Sequence, residues 1–266
     1  MTTRDFEPVG LGGPFRPLSS TAVWRLASFV LVFGAWELAG RVPISPAFPT
    51  FGATMAALFQ MTLDGSMGRA YLSTLQPLVI GLFISGVFGI LAGIAMGLSR
   101  LFEFFVAPVF IVLQAAPVAA LIPLITFIYG IGLTAKVIAV CILAAPVIVL
   151  NSYKAVRNAS PSLIEMCRAF QGSRVQVIAK IILPDASPLI FAGLRLGIAA
   201  GFIGVVLAEL LITPTGIGDL ITYHRSVADY AEMYAAIFSI VAFAAITVSS
   251  LQKLQTMVFR PEKKEA

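Results

Sequence analysis

Residues 70–99 read AYLSTLQPLVIGLFISGVFGILAGIAMGLS, 30 positions between Arg69 and Arg100 with no Asp, Glu, Lys or Arg. A helix crosses the hydrocarbon core of a bilayer in roughly 20 mostly apolar residues. This run is long enough to span and too apolar to face water. Working outward, charge is also absent over 32 residues between Glu103 and Lys136, 17 between Lys136 and Lys154, and 20 between Glu232 and Lys253. These gaps predict helices near 73–99, 104–128, 134–152 and 233–254. A fifth, near 188–211, is apolar except for Arg195 and Glu209. A sixth, near 22–40, has Arg25 at its start and Glu37 near its end. That first run lacks a clear small-x-small cleavage site and reads as a retained span rather than a signal peptide.

Composition agrees with the gaps. Of 266 residues, 59% are hydrophobic and 12% charged, against about 45–50% and about 25% in soluble domains. So little charge cannot coat a water-facing surface, and the same ratio excludes intrinsic disorder. The net charge of +5 comes from residues at the edges of apolar runs. Nucleic-acid binders gather theirs on one face, so no nucleic-acid partner is expected. With the N-terminus inside, Arg41, Arg69, Lys136 and Arg225 fall outside and Arg195 lies within a span, which leaves 13 of the 18 basic residues inside. That asymmetry predicts an all-α polytopic fold with six transmembrane helices, N-in and C-in. Residues 1–21 are expected to be a flexible cytoplasmic tail, 22–256 the membrane domain and 257–266 a second cytoplasmic tail. Cys141 and Cys167 form no CxxC and no metal-ligand spacing, which argues against a structural disulfide or zinc site.

Two spans carry small residues at every fourth position: Gly81, Ser85, Gly89, Gly93 and Gly97 in the second, and Gly193, Gly197 and Gly201 in the fifth. Such a face lets another backbone approach closely. Ordinary intramembrane packing is the favoured reading, and faces that slide during a conformational cycle are the alternative. Pro108, Pro117 and Pro123 in the third run and Pro146 in the fourth are expected to kink their helices.

Between the fourth and fifth spans lies a segment too polar to span and too patterned to be a linker, 158–184. Ser160 before Pro161 reads as a helix start, a capping hydroxyl followed by proline at the first helical position. Gly172-Ser173 is expected to divide the segment into two short helices, with Pro184 following the second. Each is expected to have one apolar face, leaving Arg168, Arg174 and Lys180 for solvent or a partner.

Here the sequence resembles the permease subunits of bacterial ABC importers that work with a substrate-binding protein. Their signature is Glu-Ala-Ala, three residues, Gly, nine residues, then Ile-x-Leu-Pro. This chain carries Glu165-Met166-Cys167, Gln171 at the glycine position, and Ile181-x-Leu183-Pro184 in register. Both alanines are replaced, and Gly172 follows one place after the expected glycine. Glu165 with Arg168, and Ser173, resemble the nitrate/sulfonate/taurine branch. The likeness extends through Ala192-Gly193-Leu194-Arg195-Leu196-Gly197, Gly93–Ser99, Pro117, Pro123 and Gly130-Ile131-Gly132 with Lys136 following, and covers most of residues 70–255.

The resemblance implies a type I importer permease in which 158–184 is a coupling segment seated in a groove of a separate ATPase. Glu165, Arg168, Ala169, Phe170, Gly172, Arg174, Ile181, Leu183 and Pro184 make up that contact, with Phe170 as the apolar anchor and Arg168 and Arg174 at its rim. Glu165 could cap its own helix start or pair with a basic residue of the ATPase. The implied partners are two ATPase subunits, a periplasmic or lipid-anchored substrate-binding protein, a second copy of this chain and membrane lipid, in the bacterial inner membrane. The implied solute is a sulfonate, taurine, nitrate or related compound. A membrane-surface amphipathic helix is the plainer reading of 158–184, but it does not require this spacing. No Gly is followed by Lys anywhere, so there is no Walker A loop. The chain is therefore expected to be no enzyme and to hold no cofactor, with ATP and Mg bound by the partner. A secondary transporter or channel is the alternative; neither an internal repeat nor an embedded acidic ion site speaks for it.

Among polar residues in or near spans, Gln114, Pro117 and Arg195 are candidates for the translocation pathway. Gln114 stands where relatives often carry Arg, which weakens the case for a strongly anionic solute. An interhelical hydrogen bond is the favoured plain reading of Gln114. Snorkelling to the inner surface is the plain reading of Arg195. Glu209 is expected at the interface, and His224 in a solvated outer loop. The stretch Thr213-Pro214-Thr215-Gly216-Ile217-Gly218 resembles the family's Gly-x-Gly, expected to pack near the outer gate.

Overall fold

The computed structural model describes residues 21–42, 45, 47–212 and 214–259. The expected tails, 1–21 and 257–266, lie outside the described residues apart from Thr21 and 257–259. The chain divides after Gly52 into two units.

In the first unit, α1 (Thr21–Arg41) is apolar apart from Arg25 near its start and Glu37 and Arg41 near its end. Aromatic rings tie it to the chain that follows: Phe33 stacks on Phe51 at 4.7 Å, and the Trp36 ring meets Phe51 edge-on at 5.4 Å. The Trp36 indole N–H donates to the Pro49 carbonyl at 3.1 Å. Glu37 accepts from the Gly52 N–H and pairs with Arg41, both at 2.9 Å.

The second unit is built from α3 (Ser66–Leu98), α4 (Arg100–Ala115), α5 (Val118–Tyr129), α6 (Leu133–Arg157), α7 (Pro161–Ala169), α8 (Arg174–Val177), α9 (Leu183–Leu211), α10 (Ile217–Ser226) and α11 (Tyr230–Val258), with α2 (Phe51–Leu63) leading in from the boundary. Five helices of the described chain are long and apolar enough to cross a membrane, and there are six if the bent pair α4 and α5 counts as one span. That matches the number of spans read from the charge gaps.

The core forms around α6. It lies between the small-residue faces of α3 and α9, so the fourfold spacing of glycines has a structural use. A Cβ added at Gly93 would sit 2.5 Å from the Ser152 Cβ, and one at Gly97 would sit 2.5 Å from the Val156 Cβ. Gly193 faces Asn151 and Gly197 faces Ile148, both on α6. The buried face of α6 is correspondingly apolar, with Ala139, Val140, Ala144, Ile148 and Val149 inaccessible to solvent. Most of the remaining large apolar side chains, such as Phe83, Phe104, Phe127 and Val241, face outward. That is the inverse of a soluble domain and suits a hydrocarbon surround.

Three expectations need correction. The third apolar run is not one continuous helix: it breaks at Ala116–Pro117, and α4 and α5 meet at 104°. Pro117 has no N–H to continue the helix, and the residue before a proline is driven out of the helical region. Ala116 accordingly takes φ −66° and ψ 137°. Pro184 does not end the second short helix. The chain runs from α8 through one turn of π-helix, Ile178–Ile182, directly into α9. The Leu183 N–H reaches back five residues to the Ile178 carbonyl, a widened turn that accommodates the proline ring. Finally, α2 and α10 are helices where the apolar-run reading has none, because they are short.

Candidate functional site

Two polar constellations occupy opposite ends of the bundle. The first is the segment between α6 and α9. After α6 ends, the Ser160 N–H donates to Asp185 in the first turn of α9, at 2.9 Å. The Ser160 hydroxyl does not cap α7; it lies 3.0 Å from the Ser162 hydroxyl. Pro161 holds the first helical position as expected. Ser173, not Ser160, makes a full capping box: its hydroxyl accepts from the Gln176 N–H while the Gln176 side chain accepts from the Ser173 N–H.

Between α7 and α8 the chain closes a Schellman motif. The Gly172 N–H bonds the Cys167 carbonyl and the Gln171 N–H bonds the Arg168 carbonyl, both at 2.9 Å. The motif needs a left-handed residue at the position Gln171 holds, and Gln171 adopts φ 57°. This gives the physical meaning of the glycine in the related signature: the turn geometry survives the substitution, with an L-residue in a conformation that favours Gly. Gly172 is needed for a different reason, since a Cβ there would lie 2.5 Å from the Cys167 sulfur.

No residue of α7 is buried, so its expected apolar face is not covered within the chain. Leu163, Met166 and Phe170, at helical spacing, stay exposed; Phe170 is 83% accessible and Val175 74%. Glu165, Ala169, Arg168 and Arg174 are exposed, and Glu165 does not cap its helix. Arg168 and Arg174 border a concavity of about 480 Å³ whose floor is Leu98, Gly172, Val177, Ile178 and Ile182. Ile181 and Leu183 are half-buried, and Pro184 is exposed. A small apolar cluster of Ala155, Val156 and Ala186, with Ile94, Ile182 and Ile190 against it, fixes the base of the segment to α6 and α9.

The second constellation contradicts the expectation for Glu209. Glu209 is 2% accessible and Lys136 3%, and they pair at 2.8 Å. The Glu209 carboxylate also accepts from the Thr74 hydroxyl at 2.9 Å and the Gly218 N–H at 3.1 Å. The Lys136 ammonium donates to the Thr215 carbonyl at 3.1 Å and the Thr215 hydroxyl at 2.9 Å. The Ile217 N–H donates to the Thr74 hydroxyl oxygen at 2.9 Å. One buried ion pair thus joins α3, α6, α9 and the turn before α10. Gly216 and Gly218 have no room for a side chain beside Glu209, and Gly216 takes φ 94°. Of the stretch 213–218, Thr213 lies outside the described residues. Sequence reasoning missed this pairing; the one signal available was that each ion is a lone charge at one end of an apolar run. At the same end, Asp64 accepts from the Ser66 N–H at 2.8 Å. Ser66 holds its carboxyl below the ordinary range, with smaller contributions from Arg69 and His224.

The pathway candidates are not joined in one cluster. Gln114 and Pro117 are exposed on either side of the α4–α5 bend. Gln114 does not make the interhelical hydrogen bond favoured for it. Arg195 is half-buried on α9. His224 belongs to α10, not to a loop, and its side chain is 15% accessible.

A bundle of apolar helices with a bare amphipathic segment at one end defines a polytopic membrane protein. Comparison with known proteins places it further. Residues 85–260 match the family described as binding-protein-dependent transport system inner membrane component. The putative aliphatic sulfonates transport permease protein SsuC of Bacillus subtilis is 23% identical over 86% of this chain and 84% of its own length. The taurine transport system permease protein TauC of Escherichia coli is 28% identical over 77% of each. Among solved structures, a chain of the inward-facing MetNI methionine ABC transporter aligns with TM-score 0.60 at 20% identity, over 74% of this chain and 99% of that one. The chain belongs to the ABC importer permease family, and its relatives include sulfonate, taurine and nitrate permeases.

Proposed function

We propose that this chain conducts a small solute such as a sulfonate, taurine, nitrate or a related compound into the cell, as a homodimer driven by two separate ATPase subunits. ATP and Mg are bound by those subunits and the solute is delivered by a substrate-binding protein. All of these act on a multi-pass protein of the bacterial inner membrane with both termini inside.

The observation that carries the coupling reading is the exposed face Leu163, Met166 and Phe170. A stripe of this kind, flanked by Arg168 and Arg174, suits a protein groove with an apolar core and a polar rim. The segment is also stiff where a push must be transmitted: a Schellman turn, a capping box and a π-turn lead without a break into α9. Gln114, Pro117 and Arg195 are proposed to line the path. Gln114 and Pro117 sit where α4 gives way to α5, and a neutral amide there accepts or donates to a polar solute without fixing its charge.

The test is co-purification with the cognate ATPase. Phe170→Asp is expected to abolish it while the membrane chain keeps its melting temperature. Full retention of the ATPase would refute the assignment of this face.

A further inference from the structure

We propose that His224, Asp229 and Glu232 form a binding site for a divalent transition-metal ion at the end of the bundle opposite the coupling segment. The three residues offer one ligand atom each, all within 4.8 Å of one another. They come together because the chain reverses sharply between α10 and α11. Ala228 takes φ 62°, and the Asp229 N–H donates to the His224 carbonyl at 2.9 Å. Glu232 follows one helical turn after Asp229, on the same face.

Two independent features point to a cation in this gap. The first is the imidazole. His224 Nδ1 is sealed from solvent and has no hydrogen-bond partner. The nearest carboxylate oxygen, on Asp229, is 3.7 Å away, too far for a hydrogen bond. A buried polar atom left this way is costly. Tyr223 packs edge-on against the ring at 5.1 Å, which limits its turning to find another partner.

The second is the carboxylates. Asp229 is the N-cap residue of α11 and Glu232 stands three residues later, the spacing of a capping box. An aspartate there ordinarily accepts from the first turn of its helix. Here no side-chain cap bond is made, and both carboxylates turn toward the histidine instead. Ligand bonds of 2.0–2.2 Å at a tetrahedral centre hold neighbouring donor atoms about 3.4 Å apart. Closing the gap to that spacing needs only small side-chain rotations. One imidazole nitrogen with two carboxylate oxygens suits zinc, cobalt or nickel better than calcium or magnesium, which take oxygen alone. Three protein ligands leave a position open for water or another donor.

The full-length chain, without a polyhistidine tag and stripped with a chelator, is titrated with Co²⁺ alone and followed by visible absorption and by melting temperature. The expected result is one saturable site per chain, an absorption band that Zn²⁺ displaces, and a raised melting temperature. His224→Ala and Asp229→Asn are expected to weaken binding by at least about tenfold, and Glu232→Gln to do so with the metal-free melting temperature unchanged. Absence of the band, or a band that survives all three substitutions, would overturn the site. In that case His224 and Asp229 form a plain ion pair.

Discussion

At Gln171 two opposing terms can be weighed. An L-residue in the left-handed region costs about 1–2 kcal/mol. Glycine would remove that strain but forfeit roughly 0.5–1 kcal/mol of backbone entropy. Gln171→Gly is therefore expected to change stability by between zero and about +1.5 kcal/mol, read from the melting temperature of the chain in detergent. A clear loss of stability would mean the turn is not held at φ 57°. The stakes are larger at Glu209. Glu209→Gln leaves the Lys136 ammonium buried without its counter-ion, and breaking a buried pair on one side costs about 3–5 kcal/mol. Replacing both members, Lys136→Met with Glu209→Leu, is expected to recover much of that loss, since two apolar groups need no partner. A double variant as unstable as Glu209→Gln alone would show that the ion pair itself, rather than the avoidance of an orphaned charge, holds the turn before α10.

At the scale of elements, the glycine stripes make a sharp contrast. Gly93→Ala puts a Cβ 2.5 Å from the Ser152 Cβ and 2.6 Å from the Val149 carbonyl oxygen. Overpacking of this kind costs about 1–3 kcal/mol. Gly68, in the same helix, has nothing within 4 Å of its Cβ position, so Gly68→Ala is expected to stabilise α3 by roughly 0.5–1 kcal/mol. Melting temperatures moving in opposite directions would bear this out. The long helices were legible because charge is excluded from hydrocarbon, and an absence of charge is visible in one dimension. The stripe of Gly81 to Gly97 was legible too, as a face, though not the partner it meets. The α4–α5 bend was not: Pro117 announces a kink, but the size of a bend depends on what each half packs against. Val118, Ile122 and Ile125 are buried on α5 while α4 buries nothing, so the two halves answer to different surroundings. Lys136 and Glu209 escaped for a related reason. Their pairing spans 73 positions, and each alone looks like an interfacial charge.

At the scale of the molecule, the second unit has a stiff middle and two specialised ends. Its middle is α6 held between α3 and α9 with little room to spare. One end is tied shut by a buried ion pair and a glycine turn, and the other presents an uncovered apolar stripe on a braced support. On the account given above, force applied at Phe170 passes through the π-turn into α9 and so reaches Glu209 at the far end of that helix. The sequence motif, read by resemblance, singled out 158–184; why Gln171 is tolerated, and why Gly172 is not free to change, required the backbone geometry. The most direct measurement is solute-stimulated ATP hydrolysis by the full importer reconstituted in membranes, comparing the native chain with Phe170→Asp. The account predicts that stimulation is lost in the variant, with the membrane chain still folded and inserted. Stimulation at the native level would contradict it.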